Sequence, residues 1–308
     1  MKKVILLLMI VFLVWASRAS AENNASDFLR TGTSARAIGM GSAYTAIADH
    51  IDGVFFNPAG LAVSVHKMEL SSSAVNNFDE VNRGNLGYAA RLSQLGLNHN
   101  TVLGLNLSNS QVTNIPRTEW EDDRPKTVDT FDSIKNNQTF TYSLMLDWYW
   151  HVGANLRHYN YEIDRYKAEA LGFDVGILHR LPNYYFGHFI VIGATLHNVL
   201  NTQVHWSTGH TDAMPMRLNF GGAMYGKLFD RRYIISTEFG FEGQDKVTLH
   251  SGIEYWLLKD MFVLRCGSDD GAFTVGTGLK VYDFSIDYAQ ADYKELGVIQ
   301  RLSLGMQF

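Results

Sequence analysis

Apolar and polar side chains alternate in short segments through most of the chain after about residue 66. Residues 273–281 read Phe-Thr-Val-Gly-Thr-Gly-Leu-Lys-Val, and residues 284–289 read Phe-Ser-Ile-Asp-Tyr-Ala. Successive side chains of a β-strand point to opposite faces, so this period of two predicts strands with one apolar face. The opposite face carries Gly, Ser, Thr or charged residues. The pattern therefore predicts an all-β protein.

The composition separates this pattern from that of a helical membrane protein. The 308 residues are 46% hydrophobic and 13% aromatic, yet the mean hydropathy is -0.10. Beyond the N-terminal residues, no stretch approaches the roughly 18 consecutive apolar residues that a spanning helix needs. A net charge of -5 offers no electrostatic basis for binding nucleic acid. The single cysteine, Cys266, excludes an intramolecular disulfide and falls on an apolar face, where a lipid-facing position is expected.

Two architectures produce alternating strands. A soluble sandwich or barrel turns the apolar face inward to a core, whereas a transmembrane barrel turns it outward to lipid. Aromatic residues near strand ends, at 148–150, 184–186 and 255–256, favour the membrane barrel because they suit a membrane interface. Full charges on the polar face favour it too, because they suit a polar lumen. The predicted lumen-lining residues are Arg217, Glu238, Glu254, Arg265, Lys280, Asp287 and Arg301.

The segments predict a transmembrane antiparallel β-barrel of about fourteen strands. An even number places both ends of the barrel on the periplasmic side, and the longest gaps, 111–138 and 200–213, are then outward loops. The final strand ends at Phe308, which resembles the aromatic insertion signal read by the barrel-assembly machinery. The predicted strands are 66–75, 83–92, 99–110, 139–149, 151–163, 168–181, 188–199, 214–228, 231–242, 246–257, 260–268, 272–282, 284–291 and 297–308.

Residues 1–21 have the features of a cleaved secretory signal peptide. Lys2 and Lys3 precede an apolar run over residues 4–15, and small residues at 19–21 suit a signal peptidase. The run is too short for a stable spanning helix, which disfavours a membrane anchor. We therefore predict export, with Glu22 as the start of the mature protein.

Residues 22–65 contain glycines and many small residues but no alternating run. Residues 28–49 read Phe-Leu-Arg-Thr-Gly-Thr-Ser-Ala-Arg-Ala-Ile-Gly-Met-Gly-Ser-Ala-Tyr-Thr-Ala-Ile-Ala-Asp, and residues 57–62 read Asn-Pro-Ala-Gly-Leu-Ala. This stretch resembles the opening of PorV/PorQ-type outer-membrane proteins and their relatives in the FadL-like superfamily of long-chain fatty-acid transporters. The resemblance implies that residues 22–65 fold as a hatch inside a fourteen-stranded barrel formed by residues 66–308. The implied hatch or gating residues are Arg36, Gly39, Met40, Gly41, Asn57, Pro58, Ala59 and Gly60.

The local chemistry is compatible with a hatch. Small residues and glycines let a backbone approach a wall closely, and Pro58 fixes its own backbone angle while biasing Asn57 toward extended geometry. The side chain of Asn57 has two donor hydrogens and one acceptor oxygen for groups of the wall. An Asn-Pro pair is also a common turn initiator, so a purely structural role is the alternative.

Other motifs give little support for catalysis, metal binding or a cofactor. Gly39-Met40-Gly41 lacks the third glycine and the preceding strand of a dinucleotide site. The acidic run at 120–124 lacks the ligand spacing of a cation site and is expected to be a solvated loop. The eleven histidines show no metal-ligand spacing, and no serine has the context of a hydrolase nucleophile.

The leading hypothesis from sequence is a non-enzymatic protein of a Gram-negative-type outer membrane that passively transports hydrophobic, fatty-acid-like molecules. Its expected partners are membrane lipid, a hydrophobic small-molecule ligand and, during insertion, the barrel-assembly machinery. One alternative is a component of protein secretion like PorV of the type IX system. Another is a structural outer-membrane protein that transports nothing.

Overall fold

The computed structural model describes residues 34–64, 66–76, 81–95, 100–121, 124–182, 188–243, 246–294 and 297–308. The predicted signal peptide and the first part of the predicted hatch, residues 22–33, lie outside the described residues, as do the aromatic residues at 184–186. Within these ranges, sixteen strands follow one short α-helix, α1, at Ala35–Gly39. The strands are β1 Met68–Asn76, β2 Val81–Arg91, β3 Thr101–Glu121, β4 Arg124–Met145, β5 Trp150–Ile163, β6 Tyr166–Arg180, β7 Phe189–His197, β8 Gln203–Trp206, β9 Thr211–Ala213, β10 Arg217–Leu228, β11 Arg231–Glu242, β12 Lys246–Leu257, β13 Phe262–Asp269, β14 Ala272–Val281, β15 Phe284–Tyr293 and β16 Gly297–Gln307.

Fourteen of these strands close into an antiparallel barrel, which confirms the predicted fold. Each pairs with its neighbours in the chain, β7 pairs with β10, and β1 pairs with β16 from Glu69↔Gln307 to Asn76↔Gln300. The two short strands, β8 and β9, form a hairpin that pairs with β6. Strand β7, whose sequence alternates least clearly, has regular ladders on both sides. We call the end of the barrel at Met68 and Gln307 the terminus end, and the opposite end the hairpin end.

The barrel is polar inside and apolar outside. On β3, Leu105 and Leu107 are 47% and 43% exposed, whereas Asn106 between them is fully buried. The same alternation exposes Phe220 on β10 and buries Glu254 on β12. Such an inside-out distribution is that of a transmembrane barrel, in which apolar side chains face lipid. Among the described residues, no helix has the length and apolar character needed to cross a bilayer.

The prediction that residues 111–138 and 200–213 are loops is wrong, because both segments contain β-strands. Residues 111–121 and 124–138 belong to β3 and β4, which are 21 and 22 residues long and pair as an antiparallel hairpin with two register shifts. Beyond the pair Val112↔Ser133 these strands pair only with each other, up to Glu121↔Arg124. The sequence did not predict these strand extensions, because polar side chains occur on both of their faces. A hairpin that is solvated on both sides needs no apolar face, so its sequence lacks the apolar–polar alternation. The gap 200–213 likewise contains the β8–β9 hairpin.

Candidate functional site

Residues 34–64, which we call the luminal segment, fill much of the barrel interior. The segment consists of α1 and two 3₁₀ helices, Ile51–Phe55 and Pro58–Val63, joined by turns. Most of its apolar side chains form one buried cluster with four buried wall residues, and Tyr225 of the wall packs against this cluster. The lumen therefore has an apolar core that the segment itself supplies. The members of this cluster are Ala37, Met40, Tyr44, Ala46, Ile47, Ala48, Ile51, Val54, Phe55, Phe56 and Leu61 of the segment, and Ala89, Val102, Ala223 and Ile234 of the wall.

Asn57 and Pro58 hold the segment against β5 and β6. The Asn57 Nδ2 atom donates to the carbonyls of Thr45 (3.0 Å) and Ile177 (3.1 Å), of which Ile177 is on β6. Its Oδ1 atom accepts from the Ala59 amide (3.0 Å) and so caps the second 3₁₀ helix, with Pro58 in the first helical position. Asn57 thus joins two turns of the segment to the wall.

The wall has no side chains at this contact. Gly153 on β5 and Gly176 on β6 are register partners that face inward. A Cβ atom on Gly153 would lie 2.4 Å from the Pro58 carbonyl carbon, and one on Gly176 would lie 2.1 Å from Asn57 Oδ1. Both glycines are therefore required for this close approach. Sequence reasoning missed them, although an inward glycine in a strand is a known sign that another backbone comes near.

A second pair of wall glycines contacts the backbone of the Gly39-Met40-Gly41 motif. Gly252 on β12 and Gly267 on β13 are register partners, and a Cβ atom on Gly252 would lie 2.2 Å from the Met40 carbonyl oxygen. Gly41 has a φ of +61°, and its own Cβ atom would lie 2.4 Å from the Ser251 carbonyl oxygen. Gly39 lies beside Gly276 of β14, where a Cβ atom on Gly39 would be 3.2 Å from the Gly276 Cα atom. The motif is a close-packed backbone contact.

Arg36 connects the segment to the charged side of the wall. Its guanidinium binds both carboxylate oxygens of Glu254, with Nε–Oε2 at 2.8 Å and Nη2–Oε1 at 3.1 Å, and its Nη1 atom binds Asp49 Oδ1 at 2.7 Å. Glu254 Oε2 also accepts from Arg265 Nε at 2.7 Å, and Arg265 Nη1 binds Asp287 Oδ1 at 2.6 Å. Two cations and three carboxylates therefore alternate in one network, which is buried at Arg36, Glu254 and Arg265 and partly exposed at Asp49 and Asp287. Burial lowers the pKa of Arg36, but Asp49 and Glu254 raise it well above its ordinary value, so the arginine stays charged.

Glu238 holds the segment without a cation. Its Oε2 atom accepts from the backbone amides of Tyr44 (3.0 Å) and Thr45 (2.8 Å), and its Oε1 atom accepts from Asn219 Nδ2 (2.7 Å). Charge-assisted hydrogen bonds of this kind are roughly twice as strong as neutral ones. Glu238 thus fixes the turn that follows the Gly-Met-Gly motif.

His50 and Glu69 form a further contact that sequence reasoning missed. His50 Nδ1 lies 3.1 Å from Glu69 Oε1, which also accepts from Ser64 Oγ at 2.6 Å, and the Ile51 amide donates to Glu69 Oε2 at 3.0 Å. Burial lowers the pKa of His50, but the carboxylates of Asp49 and Glu69 outweigh it and raise this pKa to about 9. His50 is therefore a cation near neutral pH.

A cavity of about 530 Å³ lies between the segment and the wall at the terminus end. Its lining is mixed: the charged network meets aromatic side chains. Trp256, expected at a membrane interface, faces this cavity and donates to Glu254 Oε1 (2.9 Å), because it lies two residues after Glu254 on the same face. The lining includes Arg36, Tyr44, Asp49, His50, Glu69, Tyr225, Tyr233, Trp256, Lys280 and Asp287.

All the residues predicted to line the lumen face inward. Glu238, Glu254, Arg265 and Arg301 are at most 5% exposed, and Lys280 donates to Gln307 Oε1 at 2.8 Å beside the cavity. The remaining two, Arg217 and Asp287, are half-buried. The predicted hatch residues from Arg36 to Gly60 are all buried in the luminal segment.

Two further predicted residues lie on the outer surface of the barrel. Phe308 is 47% exposed, and its backbone pairs with Lys67 and Met68. Cys266 is exposed on the outer face, as expected. No group of three or more His, Cys, Asp or Glu side chains in the described ranges is placed to hold a metal ion.

Comparison with known proteins shows the fold. No protein-family model and no curated protein matches the chain. The chain is similar to the solved structure of the CymD monoaromatic hydrocarbon channel, with 11% identity, a TM-score of 0.64 and coverage of 91% of this chain and 98% of that one. It is similar to the Pseudomonas putida toluene transporter TodX, with 12% identity, a TM-score of 0.60 and coverage of 89% and 96%. A Pseudomonas aeruginosa FadL homologue has 9% identity, a TM-score of 0.54 and coverage of 90% and 98%.

Proposed function

We propose that this protein passively transports hydrophobic small molecules across an outer membrane and that the luminal segment is its hatch. The observation that carries the proposal is the filled lumen: the segment is seated on inward-facing wall glycines and leaves a cavity in place of a wide aqueous channel. The similarity in fold to hydrocarbon channels supports it.

The physical reason is solvation. A wide aqueous pore offers an apolar solute no favourable contacts. A plugged barrel can bind such a solute in a pocket and then release it, either when the plug moves or sideways through the wall. The cavity at the terminus end has aromatic surfaces from Tyr225, Tyr233 and Trp256, on which an apolar solute can pack. We expect this end to face the periplasm, because an even number of strands returns the chain to that side.

Uptake by cells tests the proposal. A strain that lacks the gene should accumulate radiolabelled oleate or toluene more slowly, and complementation should restore the rate. In a Cys266→Ser background, Asp52→Cys and Ser71→Cys replace two groups in contact, Ser71 Oγ and Asp52 Oδ1 at 2.5 Å. Oxidation should then lock the segment to β1 and stop uptake, and a reductant should restore it. The Asp52→Cys single variant is the matched control, and uptake that persists in the oxidised double variant would contradict a moving hatch.

A second candidate is a protein-handling role, as in the PorV/PorQ-type proteins that the N-terminal motif resembles. The β3–β4 hairpin favours it, because its outer half projects from the barrel and carries Trp120, which is 80% exposed. Purification of the full-length protein and of a variant that lacks residues 114–131 distinguishes protein handling from transport of hydrophobic molecules. An exported protein that co-purifies with the full-length form but not with the deletion variant would favour this candidate, if cells that produce either form take up neither oleate nor toluene.

A further inference from the structure

Three turns at the terminus end carry a large apolar side chain that is turned away from the rest of the protein. Phe229 lies between β10 and β11, Leu258 between β12 and β13, and Tyr282 between β14 and β15, and they are 85%, 66% and 90% exposed. The three turns follow one another along the rim, because these six strands are neighbours in the sheet. We call Phe229, Leu258 and Tyr282 the apolar tips. The proposed transport uses none of them.

The backbone conformation does not explain why these residues are apolar. Each apolar tip is left-handed, with φ of +52° at Phe229, +46° at Leu258 and +54° at Tyr282. Bulky side chains rarely adopt this conformation, whereas Gly, Asn and Asp adopt it at lower cost. Two turns at the hairpin end follow that preference, because Asp164 and Asp270 occupy their left-handed positions. The apolar tips therefore stand where a polar residue would be less strained.

The apolar tips continue the lipid-facing surface of the barrel. Tyr282 belongs to the two-residue turn between Val281 and Phe284, which are register partners and are exposed on the outer face. Leu228 is likewise exposed directly before Phe229. The apolar outer surface thus extends onto the turns without a polar border.

The height of the apolar surface agrees with this extension. On β14 the exposed apolar side chains begin at Phe273, and Tyr282 lies nine residues further on. At about 3.3 Å per residue and a strand tilt of about 40°, this distance corresponds to about 23 Å across the membrane. An outer-membrane barrel has an apolar band about 25 Å tall. The band therefore ends at the turn, and Tyr282 lies at the level where interfacial aromatic side chains are found.

The apolar tips lie beside the mouth of the cavity at the terminus end. Arg232, three residues after Phe229, lines this cavity and binds Asp260 of the neighbouring turn, with Nε–Oδ1 at 3.0 Å. Lys280, two residues before Tyr282, lines it as well. The tips and the mouth of the cavity are therefore at one level of the barrel.

We infer that the apolar tips insert into the phospholipid leaflet at the terminus end, which we expect to be the periplasmic one. They lie at the boundary between headgroups and acyl chains and hold the mouth of the cavity at that surface. Exposed apolar side chains can also bind a soluble protein, but the unbroken continuity with the lipid-facing surface favours lipid. The inference rests on the outer surface of the barrel and holds whether or not the protein transports hydrophobic molecules.

Spin labels measure the depth of the apolar tips in the full-length protein, reconstituted in phosphatidylcholine vesicles. In a Cys266→Ser background, Phe229→Cys and Tyr282→Cys carry the label at two tips. Asp270→Cys, at a left-handed turn position of the hairpin end, is the matched control. Oxygen concentrates in the bilayer, whereas a nickel chelate stays in water. The ratio of collisions with oxygen to collisions with the chelate should be severalfold higher at both tips than at the control. An equal or lower ratio at either tip would overturn the inference and leave the tips free for a soluble protein.

Asn substitutions give a second test, whose sign separates lipid contact from backbone strain. Asn tolerates the left-handed conformation, so Phe229→Asn and Tyr282→Asn relieve strain but remove apolar contact with lipid. The folding equilibrium constant in vesicles should fall by about threefold to tenfold for each, since burying part of a large apolar side chain has about that effect. Asp270→Asn should leave the constant unchanged. A constant that is unchanged or higher in the two tip variants would mean that the tips contact water, which would also overturn the inference.

Discussion

The luminal segment is attached to the barrel in two different ways on two parts of the wall. At β5 and β6 the contact is neutral: Asn57 and Pro58 lie on the backbone of Gly153 and Gly176. At β12 and beyond it is ionic and centred on the pair of Arg36 and Glu254. We call these the neutral seat and the ionic seat.

The two seats differ in whether the groups of the wall keep hydrogen-bond partners when the segment moves away. When Arg36 withdraws, Glu254 still has Arg265 Nε at 2.7 Å and Trp256 Nε1 at 2.9 Å, so no carboxylate is stranded. When Asn57 withdraws, the Ile177 carbonyl loses its side-chain donor, and two glycines face an empty space. We therefore expect the segment to detach at the ionic seat and to pivot at the neutral one. Five substitutions or conditions test this difference.

The largest effect is expected when Glu254 is replaced by Leu. Two buried arginines, Arg36 and Arg265, then lose their shared acceptor, and breaking a buried ion pair costs about 3–5 kcal/mol. Guanidinium unfolding of the protein in lipid vesicles should show a loss of stability of this size. A midpoint equal to that of the unaltered protein would mean that the network contributes nothing to the fold.

Replacing Arg36 with Met should cost less, about 1.5–3 kcal/mol, because Glu254 keeps Arg265. Hydrogen–deuterium exchange should increase in residues 35–49 and stay unchanged in residues 54–62. Equal increases in both stretches would show that the two seats release together and would remove the distinction between them.

A Gly176→Leu change should disrupt the neutral seat alone, since its side chain would meet Asn57 Oδ1. Overpacking of this kind costs about 1–3 kcal/mol. Exchange should increase in residues 54–62, and single-channel conductance should rise. Gly84→Leu is the matched control, because a Cβ atom at Gly84 meets nothing within 4 Å. Similar behaviour of the two variants would argue against a specific seat.

A smaller, pH-dependent effect is expected from His50. Its folded pKa of about 9 lies above the ordinary value of 6.5, so its stabilisation is complete below about pH 6.5 and is lost as the pH rises through about 9. The effect is modest because the side chain is 29% exposed and water screens its charge. The midpoint of unfolding should fall between pH 7 and pH 9.5 in the unaltered protein and less in His50→Gln. Parallel curves for the two proteins would exclude His50 as the cause.

The smallest effect is expected on the projecting hairpin. Arg117 binds Asp164 at 2.8 Å, but both side chains are partly exposed, and such pairs contribute about 0–1 kcal/mol. Arg117→Met should therefore leave the unfolding midpoint and the exchange of the luminal segment within error. A loss as large as that of Glu254→Leu would mean that exposure does not separate strong from weak ion pairs in this protein.

Much of the fold was predictable because strand geometry alone decides which way a side chain points. Phe284 and Leu302 on the outside, and Glu238, Glu254 and Arg301 on the inside, follow from alternation. The hairpin was not predictable in this way, since a ribbon solvated on both faces has no buried side to mark it. The sequence placed Trp256 at the membrane interface, but its side chain faces the internal cavity. Closeness to a strand end indicates the height of a residue along the barrel axis, and it does not indicate whether the side chain points to lipid or to the lumen.

The sequence by itself determined that the chain is a barrel with a polar interior, and the N-terminal motif indicated which residues would lie within it. Only the tertiary structure decided which groups meet there. Arg36 and Glu254 are 218 residues apart, and the Tyr44 amide and the Glu238 carboxylate that accepts from it are 194 residues apart. These contacts depend on the register of every strand pair and on closure of the barrel. Local periodicity carries no information about that register, because shifting a strand by two residues leaves its pattern unchanged.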